Sequence, residues 1–219
     1  MKRPSRDMVL EISQLSQRYG EREILSIPSF GIEKGIYWIQ GENGAGKSTL
    51  FRTLAGMLPF EGSVRIDHQY DLKKHPVEYR LRLNLGEAEP LYPSFLTPAD
   101  LIAFVAEAQK ASREQSEKLI DAFGINYLQN PFGSCSSGMV KKVSLLLAFL
   151  GEPSVIILDE PLITIDREAR EVLFELIKEY HRNGVTFLLS SHQLFEQEGL
   201  HVSQSFRLKN KTLVATDAL

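Results

Sequence analysis

The residues with the clearest chemical pattern are Gly41, Glu42, Asn43, Gly44, Ala45, Gly46, Lys47, Ser48 and Thr49, a run that satisfies G-x-x-x-x-G-K-[ST]. Such a loop suits nucleotide phosphates. Its glycines let successive backbone N–H groups point into one concavity, and a following helix adds the positive end of its dipole. Lys47 then reaches the β- and γ-phosphates, and the Ser48 hydroxyl offers an oxygen to Mg²⁺. The surroundings agree: Gly35 to Gln40 is a near-continuous apolar run of the buried-strand kind, and a helix is expected from Lys47. The loop alone does not choose between adenine and guanine.

A second group of the right type closes another apolar run, Val155 to Leu158, which is followed directly by Asp159 and Glu160. A phosphoryl-transfer site needs one acid for the metal and another to handle the attacking water. Asp159 is expected to take Mg²⁺ and Glu160 the water. By itself the run reads equally well as a core strand entering a solvated loop. The phosphate loop tips the balance toward chemistry.

These groups need a scaffold that brings strand ends together. Val9 to Leu15 alternates as a strand, and short strands are expected at Val64–Ile66, Leu81–Leu85, Val155–Leu158, Val185–Leu189 and Phe206–Leu208. A helix of about four turns is expected over Arg167–Arg182. Thr97-Pro98-Ala99-Asp100 is a capping box with proline at the first helical position, and the apolar spacing to Phe123 reads as a helical insert. The alternation predicts an α/β fold with a mostly parallel sheet and helices on both faces. Ligands bind such sheets beyond the carboxyl ends of the strands, where the glycine loop lies.

The 219 residues suit one domain, and 25 Lys+Arg against 28 Asp+Glu give a net charge of −3, which disfavours functions built on a strongly basic surface. No apolar stretch of secretory type follows Met1–Asp7, and the longest apolar run, Val143–Leu150, contains Ser144 and is far short of a membrane span. Cys135 is the single cysteine, which excludes an internal disulfide framework or a cysteine-built zinc site. The expectation is a cytosolic chain that does not cross a membrane by itself.

Over nearly its whole length the chain resembles the ATP-binding cassette (ABC) family of ATPases. The Walker A loop is Gly41–Thr49 and the Walker B strand Val155–Glu160. Ser136-Ser137-Gly138-Met139, opening an apolar helix, resembles the signature LSGGQ. His192 resembles the switch histidine, Asp166 the D-loop aspartate, and Tyr19 the aromatic that stacks on adenine. Each of these weaker motifs also has a plain structural reading, and their order along the chain carries the resemblance. The pattern departs at Cys135, Ser137 and Met139 in the signature and at Glu87, which stands where the family has its Q-loop glutamine.

The resemblance implies a P-loop ABC ATPase fold over residues 1–219, with N-terminal antiparallel strands and a helical subdomain at about 88–145. It implies ATP and Mg²⁺ as cofactors, with Glu160, His192 and Lys47 catalytic and Ser48, Asp159 and Glu87 at the metal. It also implies a peripheral subunit on the cytosolic face of the cell membrane, paired with a second ATP-binding subunit and driving separate transmembrane permease subunits. Export is the favoured direction, from the likeness of Glu89–Pro93 and Gly138–Lys142 to cassettes of ABC-2-type exporters. Tyr92 and Phe95, if exposed, suit the groove where the permease docks, the alternative being that both are buried under the insert, and no regulatory domain or nucleic-acid partner is expected. The alternatives are a non-transport ABC ATPase or a nucleotide-gated interaction module with weak hydrolysis. The D-loop residues Leu162, Ile163 and Ile165 suit either a subunit contact or the core.

Overall fold

The structure, a computed structural model, describes residues 8–191 and 199–216. The chain first makes β1 (Leu10–Tyr19) and β2 (Arg22–Ile32), then β3 (Ile36–Gln40), which leads into α1 (Lys47–Leu54). β4 (Glu61–Ile66), β5 (Tyr70–Asp71) and the short α2 (Pro76–Arg80) precede β6 (Leu83–Gly86). Between β6 and β7 (Val155–Leu158) lie α3 (Pro98–Gln109), α4 (Arg113–Ala122), a short 3-10 helix (Phe132–Ser134) and α5 (Ser137–Ala148). α6 (Arg167–Arg182), β8 (Thr186–Leu189), β9 (Gln204–Lys209) and β10 (Thr212–Thr216) complete the described elements.

Two sheets divide the work. The larger has the order β10-β9-β3-β8-β7-β6, parallel from β9 through β6, with β10 antiparallel at one edge. Its central strands are apolar without alternation because both faces are covered. Along β7, Ile156 and Leu158 enter a core shared with α5 and α6, whereas Val155 and Ile157 enter one shared with α1 and the smaller sheet. Asp159 therefore leaves the sheet at its carboxyl edge, level with the end of β3.

The smaller sheet, β2-β1-β4-β5, is antiparallel. Its buried face reads Leu10, Ile12, then Leu15 and Gln17, so the phase slips by one residue. Gln14 causes the slip: it sits at φ 52 in a bulge between Ser13 and Ser16. The bulge presses on β4, where a Cβ on Gly62 would stand 2.2 Å from the Gln14 carbonyl oxygen. Only glycine fits there.

The helical insert expected over Thr97–Phe123 is two helices. α3 carries the anticipated capping box, Thr97 with Asp100, and ends at Lys110 in the left-handed region. Ser112 then caps α4 by accepting the Gln115 N–H. Leu81 and Arg82 close α2 and leave β6 to start at Leu83.

Candidate functional site

The phosphate loop is shaped by its own backbone and by the residues beside it. Gly44 and Gly46 take φ 78 and 104, and a Cβ on Gly46 would lie 3.2 Å from Cγ2 of Ile24. The Ala45 N–H bonds to the Glu42 carbonyl at 3.1 Å. Lys47 is buried, and its ammonium donates to the carbonyls of Gly41 at 2.8 Å and Glu42 at 3.4 Å. α1 begins at Lys47, so its first N–H groups, which have no partner within the helix, face the loop. Ser48 is exposed at this end, beside Thr49.

Across the loop lies the acidic end of β7. Asp159 and Glu160 are buried, and Glu160 is held at φ 43, in the left-handed region. Ser190, fully buried at the end of β8, donates its hydroxyl to Asp159 Oδ1 at 2.6 Å and accepts the Glu160 N–H at 2.9 Å. Lys47, Ser48, Thr49, Asp159, Glu160 and Ile163 line one cleft of about 690 Å³, together with Glu42, Asn43, Gly44, Gly46, Arg22, Ile24, Ala88 and Glu89. Tyr19 is half-exposed and pairs across β1–β2 with Arg22, one step from that wall.

The donor set suits Mg²⁺. Among the described residues no group of three His, Cys, Asp or Glu side chains forms a cage. A nucleotide-bound magnesium needs none, since it takes one or two protein oxygens and fills the rest with phosphates and water. The Ser48 hydroxyl and the Asp159 carboxylate, both hard oxygen donors, stand on the wall of the same cleft.

Glu87 is held elsewhere. Its carboxylate pairs with Arg52 of α1, Nε to Oε1 at 2.7 Å, while its neighbours Ala88 and Glu89 face the cleft. His192 lies outside the described residues. The strand end leading to it is fixed by Ser190 and by Trp38, whose indole N–H donates to the Ser191 carbonyl at 3.1 Å.

The signature stands apart from this cleft, whose described lining includes none of Ser136, Ser137 and Gly138. Ser136 caps α5 by accepting the Met139 N–H at 3.2 Å, and the Met139 thioether faces the Ser136 N–H at 3.5 Å, a weak replacement for an amide in a capping box. Ser137 is exposed. A Cβ on Gly138 would meet the Thr164 carbonyl oxygen at 2.7 Å, so the helix start rests directly on the D-loop. Asp166 caps α6 through the Ala169 N–H and pairs with Lys142 at 2.6 Å, a bond that holds its carboxyl below the usual range. Leu162 and Ile165 are buried in the core, whereas Ile163 is half-exposed at the cleft.

One expectation about side chains needs revision. Phe95 is exposed, but Tyr92 is largely covered, its ring packed against that of Phe132 at 4.8 Å with the planes tilted by 45°. Lys141, to which the sequence pattern assigns no role, is buried with 1% of its surface exposed. Its ammonium donates to the carbonyls of Glu87, Ala88 and Asp159 at 2.5, 3.1 and 3.1 Å. Burial pushes its pKa down to about 8, against the opposing pull of Asp159, Glu160, Glu87 and Glu89. Nothing in the local sequence marks this lysine, since its partners come from two distant strand ends.

Residues 25–163, well over half of the chain, match the family model described as ABC transporter. The ABC transporter ATP-binding protein NatA of Bacillus subtilis (strain 168) is 32% identical over 181 residues, covering 78% of this chain and 73% of the relative. The lantibiotic transport ATP-binding protein SrtF of Streptococcus pyogenes is 31% identical over 201 residues, covering 88% and 83%. Of two further relatives, one carries export and the other import in its name. A solved structure of the ATP binding subunit of an ABC transporter superposes with a TM-score of 0.84 at 28% identity, covering 95% of this chain and 89% of that one. No helix among the described residues is long and apolar enough to cross a membrane. With its phosphate loop and acidic strand end facing each other across one cleft, the chain belongs to the ABC transporter family, as one of its ATP-hydrolysing cassettes.

Proposed function

We propose that this cassette closes with a second ATP-binding subunit around MgATP, and that closing and reopening drive separate transmembrane permease subunits from the cytosolic face of the membrane. The observation that carries the pairing is the separation within one chain of the cleft from the signature residues. A site that needs both must draw its signature from another subunit. Residues at about 88–145 are read as the helical subdomain that faces the permease, with exposed Leu91, Phe95 and Phe104 as its apolar contacts. Export rests on the likeness of Glu89–Pro93 and Gly138–Lys142 to exporter cassettes. The matching relatives include both directions.

Within the cleft each residue has a role set by its chemistry. The N–H groups of Gly41–Thr49 and the α1 terminus bind the phosphates, and Lys47 exchanges its carbonyl partners for phosphate oxygens. Ser48 and Asp159 would hold Mg²⁺, which supplies charge neutralisation on the phosphates. Glu160 orients water and accepts its proton, Tyr19 stacks on the base, and His192 contacts the terminal phosphate. Ser136, Ser137 and Gly138 of one subunit, with Asp166 beside them, close over the nucleotide of the other. Glu87 comes to the metal or its water only by leaving Arg52.

The test is the solution mass of Glu160→Gln with and without MgATP. A monomer that becomes a dimer only with nucleotide is expected, because the amide keeps the shape but cannot take the proton. A protein that binds ATP and stays monomeric overturns self-pairing and points to a different second subunit.

A further inference from the structure

β6 and β7 run parallel, and their ladder ends where the Asp159 N–H bonds to the Gly86 carbonyl at 2.8 Å. Beyond that bond the strands part: one becomes the loop carrying Ala88 and Glu89 along the cleft wall, the other the turn carrying Asp159 and Glu160. The Lys141 ammonium bridges the gap. It has three N–H donors and three carbonyl partners, two on the first segment and one on the second. All three bonds come from the second turn of α5, whose first turn is the signature.

A buried ammonium is an expensive way to tie two strand ends, as its lowered pKa shows. An apolar side chain would fill the same space, but it would leave the three carbonyls without these donors. The neighbouring Lys142 completes the arrangement by holding Asp166 of the D-loop. α5 is thus bonded to both segments that carry the cleft wall and, separately, to the D-loop.

We propose that Lys141 is a positioning residue for hydrolysis: it clamps the Glu87–Ala88 segment to the Asp159 carbonyl, so that the signature helix and the acid-bearing strand end shift as one body. The inference rests on the pairing described above. It adds that the segment offered to the partner's nucleotide is mechanically tied to the chain's own metal acid.

Lys141→Met keeps the length and removes the donors, whereas Lys141→Gln restores two of them. With Lys141→Met, kcat is expected to fall about tenfold or more while KM for ATP stays within about threefold, with Lys141→Gln intermediate. Amide hydrogen exchange in the absence of nucleotide is the second readout. Residues 86–92 and 159–163 should both exchange faster in Lys141→Met, with residues 47–54 unchanged. If Lys141→Met does not fold, Lys141→Gln is compared with wild type in the same two readouts.

Exchange unchanged in those two segments, exchange faster throughout the chain, or turnover in Lys141→Gln no better than in Lys141→Met would each overturn the proposal. Wild-type protein that never dimerises with MgATP would instead overturn the pairing, and the exchange comparison would still decide whether the clamp exists.

Discussion

Ser190 fixes Asp159 by donating to its Oδ1 at 2.6 Å, and the same hydroxyl accepts the N–H of the next residue, Glu160. One buried oxygen thereby aims the proposed metal acid and holds the left-handed turn that presents the proposed base. Ser190→Ala is expected to cost about 1–3 kcal/mol in urea denaturation, because a buried carboxylate loses a donor and an N–H loses its acceptor. Turnover should fall more than ATP affinity. Wild-type stability in the alanine protein would remove this hydroxyl from the list of supports.

Glu87 and Arg52 form a partly exposed ion pair, with 24% and 44% of their side chains accessible. Breaking it should change stability by no more than about 1 kcal/mol. Glu87→Gln frees this position from Arg52 and supplies an amide that both donates and accepts. Steady-state ATP hydrolysis is expected to equal or exceed wild type. A fall of about tenfold would show instead that the carboxylate itself serves the metal.

Gly138 has no room for a side chain, since a Cβ would stand 2.7 Å from the Thr164 carbonyl oxygen. Gly138→Ala must push the D-loop away from α5 at a cost of about 1–3 kcal/mol. Ser137→Gly, one residue earlier and exposed, should cost about 1 kcal/mol at most. Thermal unfolding of the two variants, followed by dimer formation with MgATP in a Glu160→Gln background, separates crowding at the helix start from loss of the serine hydroxyl.

Asp166 has its carboxyl pKa lowered, chiefly by the bond from Lys142. Its contribution to stability is therefore complete above the ordinary carboxyl value of 3.8 and is lost as pH falls through the lower folded value. Chemical denaturation should show wild type more stable than Lys142→Met at neutral pH by no more than about 1 kcal/mol, the pair being partly exposed. The difference should shrink below about pH 4. A gap that persists unchanged in acid would assign the effect to the packing of the lysine stem.

The elements that hold the phosphate loop and the acids were legible because their patterns are local. β7 and α6 run over the residues that hydrophobic period and caps predict, and β3 ends at the glycine turn. β2 is obscure for a physical reason: Pro28 and Gly31 interrupt its alternation, and proline is tolerated because β2 is the edge of its sheet. The break between α3 and α4 is hidden because Lys110, not glycine, takes the left-handed position. The surroundings of Lys141 and Glu87 are not legible locally, because the carbonyls that hold the lysine and the arginine that pairs with the glutamate lie at the ends of other strands or 35 positions away.

The bonds from Lys47 to Gly41 and Glu42 give the phosphate loop a finished shape held by its own chain. A nucleotide entering it swaps one set of oxygens for another and orders little backbone, so association should run at a speed set by encounter, with selectivity expressed in how long the nucleotide stays. The same bonds make the lysine a poor gauge of phosphate affinity when deleted. Its removal takes away a contact to the guest and a strut of the vessel at once.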